Sequence, residues 1–219
     1  MASLKSLATL AALCLVGYLL ATFAVPLAYK WAYPTYNVRY RLTVNALVDG
    51  QTKSASSVVD MHIKLQPRLL DNPPWVLDLN GEHPAMDIGN GQTLVTLMAR
   101  RDHKGPDATS IVFRAFDIPY QADRASDLGD LHGERRLAPR DWPDFVVVRN
   151  ANSPPSINAL DQAEDLKIRI ESVTLAITSD TVTCGLSQRF PWVGVRGDLT
   201  LDRALAKQQL RMSNFTTCH

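Results

Sequence analysis

The stretch from Val38 to Gln66, VRYRLTVNALVDGQTKSASSVVDMHIKLQ, decides the fold. Before the central Asp49-Gly50 pair, apolar residues occupy every second position: Val38, Tyr40, Leu42, Val44 and Ala46. After that pair the alternation resumes, with Val59, Met61, Ile63 and Leu65 on one face. Alternation of this kind is typical of half-buried β-strands, and Asp-Gly is a strong signal for a tight turn. The stretch therefore predicts a long antiparallel hairpin.

A second hairpin is predicted around Gly89-Asn90-Gly91, which comes after the short strand candidates WVLDL and AMDI. A phosphate-binding glycine loop requires a helix N-terminus directly after its glycines. The residues after these glycines are QTLVTLM, which are rich in β-branched types, and no G-x-G-x-x-G motif or Lys-Ser/Thr pair is present. We therefore interpret Asn90-Gly91 as the turn between two strands and not as part of a nucleotide site.

Further strands are predicted at TSIVFRAF (109–116), DFVVVRN (144–150) and KIRIESVTLAIT (167–178). The charged stretch 120–143 is interpreted as a surface excursion with room for a short helical turn. One helical turn is expected within 158–166, and LDRALAKQQLRM (201–212) has a helical period. The fold class is mainly β: an antiparallel β-sandwich or open barrel of about seven to nine strands with one or two short helices.

The N-terminal segment LATLAALCLVGYLLATFAVPLAY runs without a charge from Leu7 to Tyr29. About 20 apolar residues in a helix cross the hydrocarbon core of a bilayer. Trp31 and Tyr33 lie just beyond it, where an interfacial aromatic belt is expected. The segment predicts an uncleaved transmembrane helix, and a signal peptide cleaved after Ala24 is the alternative. The expected organisation is an anchor over 1–30, a linker over 31–37 and a β domain over 38–219.

Two patterns disagree about the side of the membrane on which the β domain lies. Lys30, Arg39 and Arg41 come soon after the helix, and the positive-inside rule then favours the cytoplasm. A very short N-terminal tail, however, more often stays inside, which exports the domain that comes after the helix. Cys184 and Cys218 are an even pair suited to one disulfide in an oxidising compartment, with two buried free thiols as the alternative. We expect export, which in a bacterium places the domain in the periplasm.

The overall charge of the chain disfavours nucleic acid as a partner. Its 23 basic and 22 acidic residues give a formal net charge of +1, and the basic residues are scattered along the sequence. A chain of this kind creates no global field that would attract a polyanion. Its apolar content of 46% is close to that of ordinary globular domains and is sufficient for a core.

The densest group of potential metal ligands lies in DLGDLHGERR and comprises Asp127, Asp130, His132 and Glu134. Carboxylates and imidazole bind divalent cations. The spacing nevertheless matches no zinc, EF-hand or His-Glu-x-x-His pattern, and neighbouring arginines can neutralise the carboxylates. An envelope hydrolase or metal-dependent enzyme using this segment is therefore only an alternative. No G-x-S-x-G motif is present, and neither a catalytic residue nor a cofactor is assigned.

Three stretches together carry a family resemblance: YRLTVNALVDGQTKSASSVVDM, LNGEHPAMDIGNGQTLVTLM and SINALDQAEDLKIRIESVTLAITSDTVTCGLSQRFPWV. In this order they resemble segments of an uncharacterised family of proteobacterial membrane-anchored proteins. That family's late block is T-x-x-P-V-T-x-G-I-x-x-x-L-P-W-L. This chain has Thr181 where the block usually has Pro, Cys184 where Thr is common, and Phe190 in place of Leu. The resemblance extends from Arg39 to Trp192. It implies a bacterial, membrane-associated setting and transfers no catalytic residue.

These patterns together lead us to expect a non-enzymatic role in the bacterial envelope. The β domain would bind or support another protein, as an accessory subunit of a membrane complex. Trp75, Trp142 and Trp192 are candidate contacts if they are exposed, since tryptophan is enriched at interfaces. A carrier that holds a small molecule or lipid inside the β domain is a further alternative.

Overall fold

The computed structural model describes residues 4–68, 73–98, 108–152, 156–193 and 218. The chain divides into two compact units. The first consists of Met1–Thr35 and Ile63–Val76, and the second of Tyr36–His62 and Leu77–His219. The helix expected at 201–212 lies outside the described residues.

The N-terminal segment is helical from Leu4 to Ala32, in three consecutive parts: α1 (Leu4–Leu19), a π-helical turn (Leu20–Ala24) and α2 (Val25–Ala32). Its stretch Ala12–Ala32 is long and apolar enough to cross a membrane. Pro26 has no amide hydrogen to donate, and the π turn ends at Ala24, two residues before it. Because the first strand begins at Thr35, the expected linker 31–37 reduces to Tyr33 and Pro34.

Nine strands lie within the described ranges: β1 (Thr35–Val48), β2 (Gln51–Leu65), β3 (Trp75–Asn80), β4 (Ala85–Gly89), β5 (Gln92–Thr96), β6 (Glu134–Arg136), β7 (Phe145–Val148), β8 (Ile157–Ala159) and β9 (Ile168–Ile177). They form a five-stranded sheet in the order β3-β2-β1-β9-β6 and a four-stranded sheet in the order β4-β5-β7-β8. Both sheets are antiparallel, so the predicted mainly β fold is confirmed.

The first predicted hairpin forms β1 and β2. The apolar positions assigned to the inner face of β1 are all buried: Val38, Tyr40, Leu42, Val44 and Ala46. Asp49 and Gly50 both have positive φ, 49° and 82°, as a two-residue type I′ turn requires. The free edge of β1 pairs with β9, from Tyr40 opposite Ile177 to Val48 opposite Ile168. This pairing brings together strands far apart in sequence.

The second predicted hairpin forms β4 and β5, with Asn90 and Gly91 as its turn. Their φ values of 53° and 72° again define a type I′ turn. A strand therefore comes after the glycines, which is the geometry expected of a hairpin and not of a phosphate loop. Residues of the four-stranded sheet share a core cluster with residues 186–193: Val95, Leu97, Val146, Val148, Ile157, Leu186, Phe190, Trp192 and Val193.

The strand predicted at 109–116 is wrong, because these residues form helix α3 (Ala108–Ala115). Three consecutive residues, Ile111, Val112 and Phe113, are all buried, whereas a strand with one exposed face would have buried only alternate ones. Arg114 donates to Ser110 across one helical turn, 2.6 Å from Nη1 to Oγ. Tertiary burial therefore outweighed the β-propensity of Ile and Val in this segment.

Two further segments add detail that the sequence patterns did not provide. The charged excursion contains a 3₁₀ helix (Ala122–Asp130) and the short edge strand β6. The stretch before the helical turn at Leu160–Gln162 forms β8, whose three residues are too few to display an alternation.

Candidate functional site

A network of charged and polar side chains lies on the exposed face of the five-stranded sheet. In β1, burial of Val38, Tyr40 and Leu42 directs the intervening Arg39 and Arg41 to the opposite face. In β2, the same alternation places Asp60 and His62 beside them. The segment directly after β9 supplies the remaining members, Thr178 and Asp180. We call Asn37, Arg39, Arg41, Asp60, His62, Thr178 and Asp180 the polar face.

Arg39 is the central residue of the polar face. Its Nη2 donates to Oδ2 of Asp60 at 2.8 Å, which joins β1 to β2. Its Nη1 donates to the carbonyl of Asp180 at 3.1 Å, which joins β1 to the segment after β9. One guanidinium therefore holds three separate parts of the chain together through charge-assisted hydrogen bonds.

Asp180 forms the second junction of the polar face. Its carboxylate accepts hydrogen bonds from Thr178 Oγ1 at 2.6 Å and from Arg41. The Thr178 hydroxyl, together with the nearby positive charge of Arg41, lowers the pKa of the Asp180 carboxyl below its ordinary value. The carboxylate therefore keeps its charge, and its pairing with Arg41, to a lower pH than an ordinary aspartate.

His62 lies between an amide and a carboxylate. Its Nδ1 is 2.7 Å from Oδ1 of Asn37 and its Nε2 is 3.7 Å from Oδ2 of Asp60. Because an amide oxygen only accepts, Nδ1 carries a hydrogen. Two arginines, two aspartates and a histidine thus present both signs of charge on one surface, and such a surface favours a polar, electrostatically complementary partner.

A second polar cluster lies in the interior, where β3 leads into β4. Tyr40 Oη is 3.2 Å from Nε2 of His83, and Nδ1 of His83 is 3.0 Å from the carbonyl of Leu97. His83 is only 1% exposed. Because the carbonyl accepts from Nδ1, a neutral ring presents Nε2 as the acceptor for the Tyr40 hydroxyl. His83 therefore connects β1 of one sheet to the end of β5 in the other.

Glu82, the residue before His83, bonds to a different segment of the chain. One of its carboxylate oxygens, Oε2, accepts from the amides of Gly185 at 3.0 Å and Leu186 at 2.8 Å, and the residue is 6% exposed. The bonds fix the start of helix α4 (Leu186–Arg189), whose first residue is part of the core of the four-stranded sheet. Glu82 is therefore a buried carboxylate with a structural partner on a distant segment.

Cys184 and Cys218 form a disulfide with a Cα–Cα distance of 5.9 Å. The adjacent Thr183 pairs with β2: its amide donates to the carbonyl of Val58 and its hydroxyl accepts from the Val58 amide, each at 2.9 Å. Together with the Glu82 bonds, these contacts attach residues 183–186 to two different parts of the β domain. The disulfide then ties residue 218 to the same place.

The four residues considered as metal ligands are not brought together. Asp127 pairs with Arg124 at 2.5 Å, and Nδ1 of His132 contacts the backbone carbonyl of Asp130 at 2.9 Å. The Asp130 and Glu134 side chains are exposed. Within the described part of the chain, no group of three or more His, Cys, Asp or Glu residues could hold a metal ion. The geometry therefore gives the metal-dependent alternative no support.

The three tryptophans considered as contacts are not exposed. Trp75 and Trp192 are buried, and the Trp192 indole donates to the carbonyl of Ala151 at 2.8 Å. Trp142 is half-buried and donates to the carbonyl of Leu137 at 3.1 Å. These side chains stabilise the fold, so a partner of the β domain would not dock on them.

Sequence patterns found only part of these two clusters. The alternation of apolar residues along β1 and β2 implies that the intervening Arg39, Arg41 and His62 lie on the opposite, exposed face, but no local signal links them to Asp180. No local pattern marks Glu82 and His83 as buried, because residues of these polar types are seldom buried. The signal in the sequence is the preceding Gly81: its φ of 136° is one that other residues rarely adopt, so a glycine here is typical of an unusual backbone conformation next to Glu82.

No protein-family model, curated protein or solved structure matches the chain. The class that the structure itself defines is a mainly β protein with an N-terminal apolar helix long enough to cross a membrane.

Proposed function

We propose that the chain is a single-pass protein of the bacterial envelope, with its β domain in the periplasm. The role that we propose is non-enzymatic: the domain binds or supports another component of a membrane complex. The apolar helix Ala12–Ala32 supplies the anchor. The polar face supplies a surface with both signs of charge for recognition.

The observation that carries this proposal is the Cys184–Cys218 disulfide. Disulfides form and persist in oxidising compartments and are rare in the reducing cytosol. This bond closes a stretch with a sequence separation of 34, and a loop of that size corresponds to about 4 kcal/mol of stabilisation in the chain-entropy treatment. A disulfide of this kind therefore favours export over retention in the cytoplasm.

The location is tested by trapping thiols in intact cells and by fusing alkaline phosphatase, which is active only after export, to the C-terminus. We expect oxidised cysteines and an active fusion. A C184S/C218S variant provides the reduced reference on a non-reducing gel. Reduced thiols together with an inactive fusion would place the β domain in the cytoplasm and refute the proposal.

The character of the binding surface depends on the side chains that the β domain exposes. Among its described residues, the exposed large apolar side chains are Val76 and Tyr120. A partner is then recognised through charges and hydrogen bonds, for which the polar face is the most organised surface described above. Reversing one charge there repels a complementary partner, which costs more than removing the charge alone.

Affinity purification of the tagged chain from detergent-solubilised native membranes tests the binding role. We expect a reproducible partner that the R41E variant loses. The matched control is R149E, because Arg149 also forms an exposed ion pair, with Asp165, but lies outside the polar face. Recovery of no reproducible partner counts against the proposal. If R41E and R149E lose the partner equally, the polar face is not the binding surface.

A further inference from the structure

Charge is distributed unevenly between the two compact units. Met1–Thr35 and Ile63–Val76 contain four basic residues, Lys5, Lys30, Lys64 and Arg68, and one acidic residue, Asp71. The whole chain balances 23 basic against 22 acidic residues, so the other unit has a slight acidic excess. The unit that contains the apolar helix is therefore the basic one.

Three of these basic residues lie near the end of the helix at which the β domain begins. Lys30 is in the last turn of α2. The amide of Leu65 donates to the carbonyl of Pro34 at 3.2 Å, which joins the end of β2 to the chain just after the helix. Lys64 and Arg68 flank that contact and both are exposed. At about 3.3 Å per extended residue, they lie within or close to a Debye length of about 10 Å from the helix end.

Aromatic side chains lie at the same helix end, where an interfacial aromatic belt is expected for a membrane-spanning helix. Trp31 is 87% exposed. The rings of Tyr29 and Tyr33 contact each other, with centroids 4.9 Å apart. Tyrosine and tryptophan are enriched at membrane–water interfaces because their rings are apolar and their polar atoms remain hydrated. If the helix spans a bilayer, basic side chains at the level of this belt would face lipid phosphate groups.

We propose that Lys30, Lys64 and Arg68 form a membrane-proximal basic surface that binds the phosphates of anionic phospholipids and holds the end of β2 against the bilayer. The charge complementarity is specific to this unit, since the remainder of the chain is slightly acidic. The inference rests on the proposed membrane anchoring. Each basic side chain close to an anionic surface favours the bound state about fivefold, equivalent to about 1 kcal/mol.

The test uses the full chain in vesicles of phosphatidylcholine, with or without phosphatidylglycerol. An environment-sensitive fluorophore is attached through V76C, at an exposed position of β3 within the same unit. The exposed free thiol is first removed by C14A, and the disulfide is kept oxidised. A second sample carries the label at T52C, at the opposite end of β2.

We expect the V76C label to report a less polar environment only in vesicles with phosphatidylglycerol, and the T52C label to report none. The variant K64Q/R68Q should reduce the ratio of lipid-bound to lipid-free basic surface about 25-fold, because each of the two lost charges contributes about fivefold. The control K167Q/R169Q removes one lysine and one arginine from exposed positions of the other unit. It should leave the signal unchanged, and added salt should weaken the signal in the parent protein.

Flotation with neutral vesicles separates the two ways in which this test can fail. A chain that does not float lacks the proposed anchor, which overturns the anchoring and this inference with it. A chain that floats but gives the same V76C signal in neutral and anionic vesicles overturns the lipid contact alone. Equal effects of K64Q/R68Q and K167Q/R169Q would also overturn the lipid contact, because Lys64 and Arg68 would then contribute no more than basic residues elsewhere in the chain.

Discussion

Replacing Glu82 with glutamine should destabilise the folded chain by about 2 kcal/mol, and replacing it with alanine by about 4 kcal/mol. Both amides that Glu82 accepts, those of Gly185 and Leu186, bond to the same oxygen, Oε2. A glutamine side chain can therefore keep both bonds through its single oxygen, but without the charge. Hydrogen bonds to a charged group contribute about 1.5–3 kcal/mol and neutral ones about 0.5–1.5 kcal/mol, so each bond loses about 1 kcal/mol.

Alanine removes the acceptor altogether and leaves the buried Leu186 amide and the partly buried Gly185 amide unsatisfied, at a cost of about 1–3 kcal/mol each. The measurement is urea unfolding of the full chain in mild detergent, monitored by tryptophan fluorescence. Trp192 lies in the same core cluster as Leu186 and reports on the segment that Glu82 holds. The control is E134Q, which neutralises an exposed carboxylate on β6 and should change stability by less than about 0.5 kcal/mol.

The ranking of the variants is the result that decides the matter. The parent, E82Q and E82A should unfold at successively lower urea concentrations. The slope of the free energy of unfolding against urea concentration should stay unchanged, because unfolding newly exposes the same amount of surface in all three. If E82Q and E134Q share one midpoint, or if E82A is no less stable than E82Q, the two amide bonds do not hold the segment and the reasoning fails.

Two further predictions concern the backbone and the acid range. G81A should lower the free energy of unfolding by about 3 kcal/mol, because Gly81 has a φ of 136° and a Cβ there would lie 3.0 Å from the carbonyl oxygen of Val58. G50A should lower it by only about 1 kcal/mol, because Gly50 has a φ of 82° but a Cβ there would meet no atom within 4 Å. Equal melting temperatures for the two variants would contradict this prediction. T178V should raise the pKa of the Asp180 carboxyl toward its ordinary value, as measured by NMR titration, because the Thr178 hydroxyl is the main cause of its lowering. Because folding lowers that pKa, Asp180 stabilises the folded chain above the pKa of the unfolded state, and this stabilisation is lost as the pH falls through the pKa of the folded state. If D180N leaves the acid unfolding curve unaltered, Asp180 makes no such contribution.

The two hairpins show which parts of the fold were predictable. Their inner faces and turns depend on alternation and on the φ values that Asp49-Gly50 and Asn90-Gly91 readily adopt, and all of these are properties of a few neighbouring residues. Residues 109–116 show the limit. Their β-branched composition favoured a strand, but burial of three consecutive apolar side chains produced a helix.

The polar face was predictable in the same partial way. Alternation put Arg39 and Arg41 on the exposed side of β1, as observed. Their partner Asp180 lies 139 residues after Arg41 in the chain, and it reaches the sheet only because β9 pairs beside β1. No local pattern encodes a pairing at that separation, since alternation indicates which face of a strand is buried but not which strand lies beside it.

By itself, the sequence determined that the chain has an apolar N-terminal helix, two hairpins and strands with one buried face, because each of these depends on residues close together in the chain. The tertiary structure alone decided the order of strands in each sheet, the burial of Glu82 and His83, and the helical state of 109–116. These features depend on which distant segments supply hydrogen-bond partners and apolar contacts, and burying a carboxylate or an imidazole is tolerable only where such partners exist.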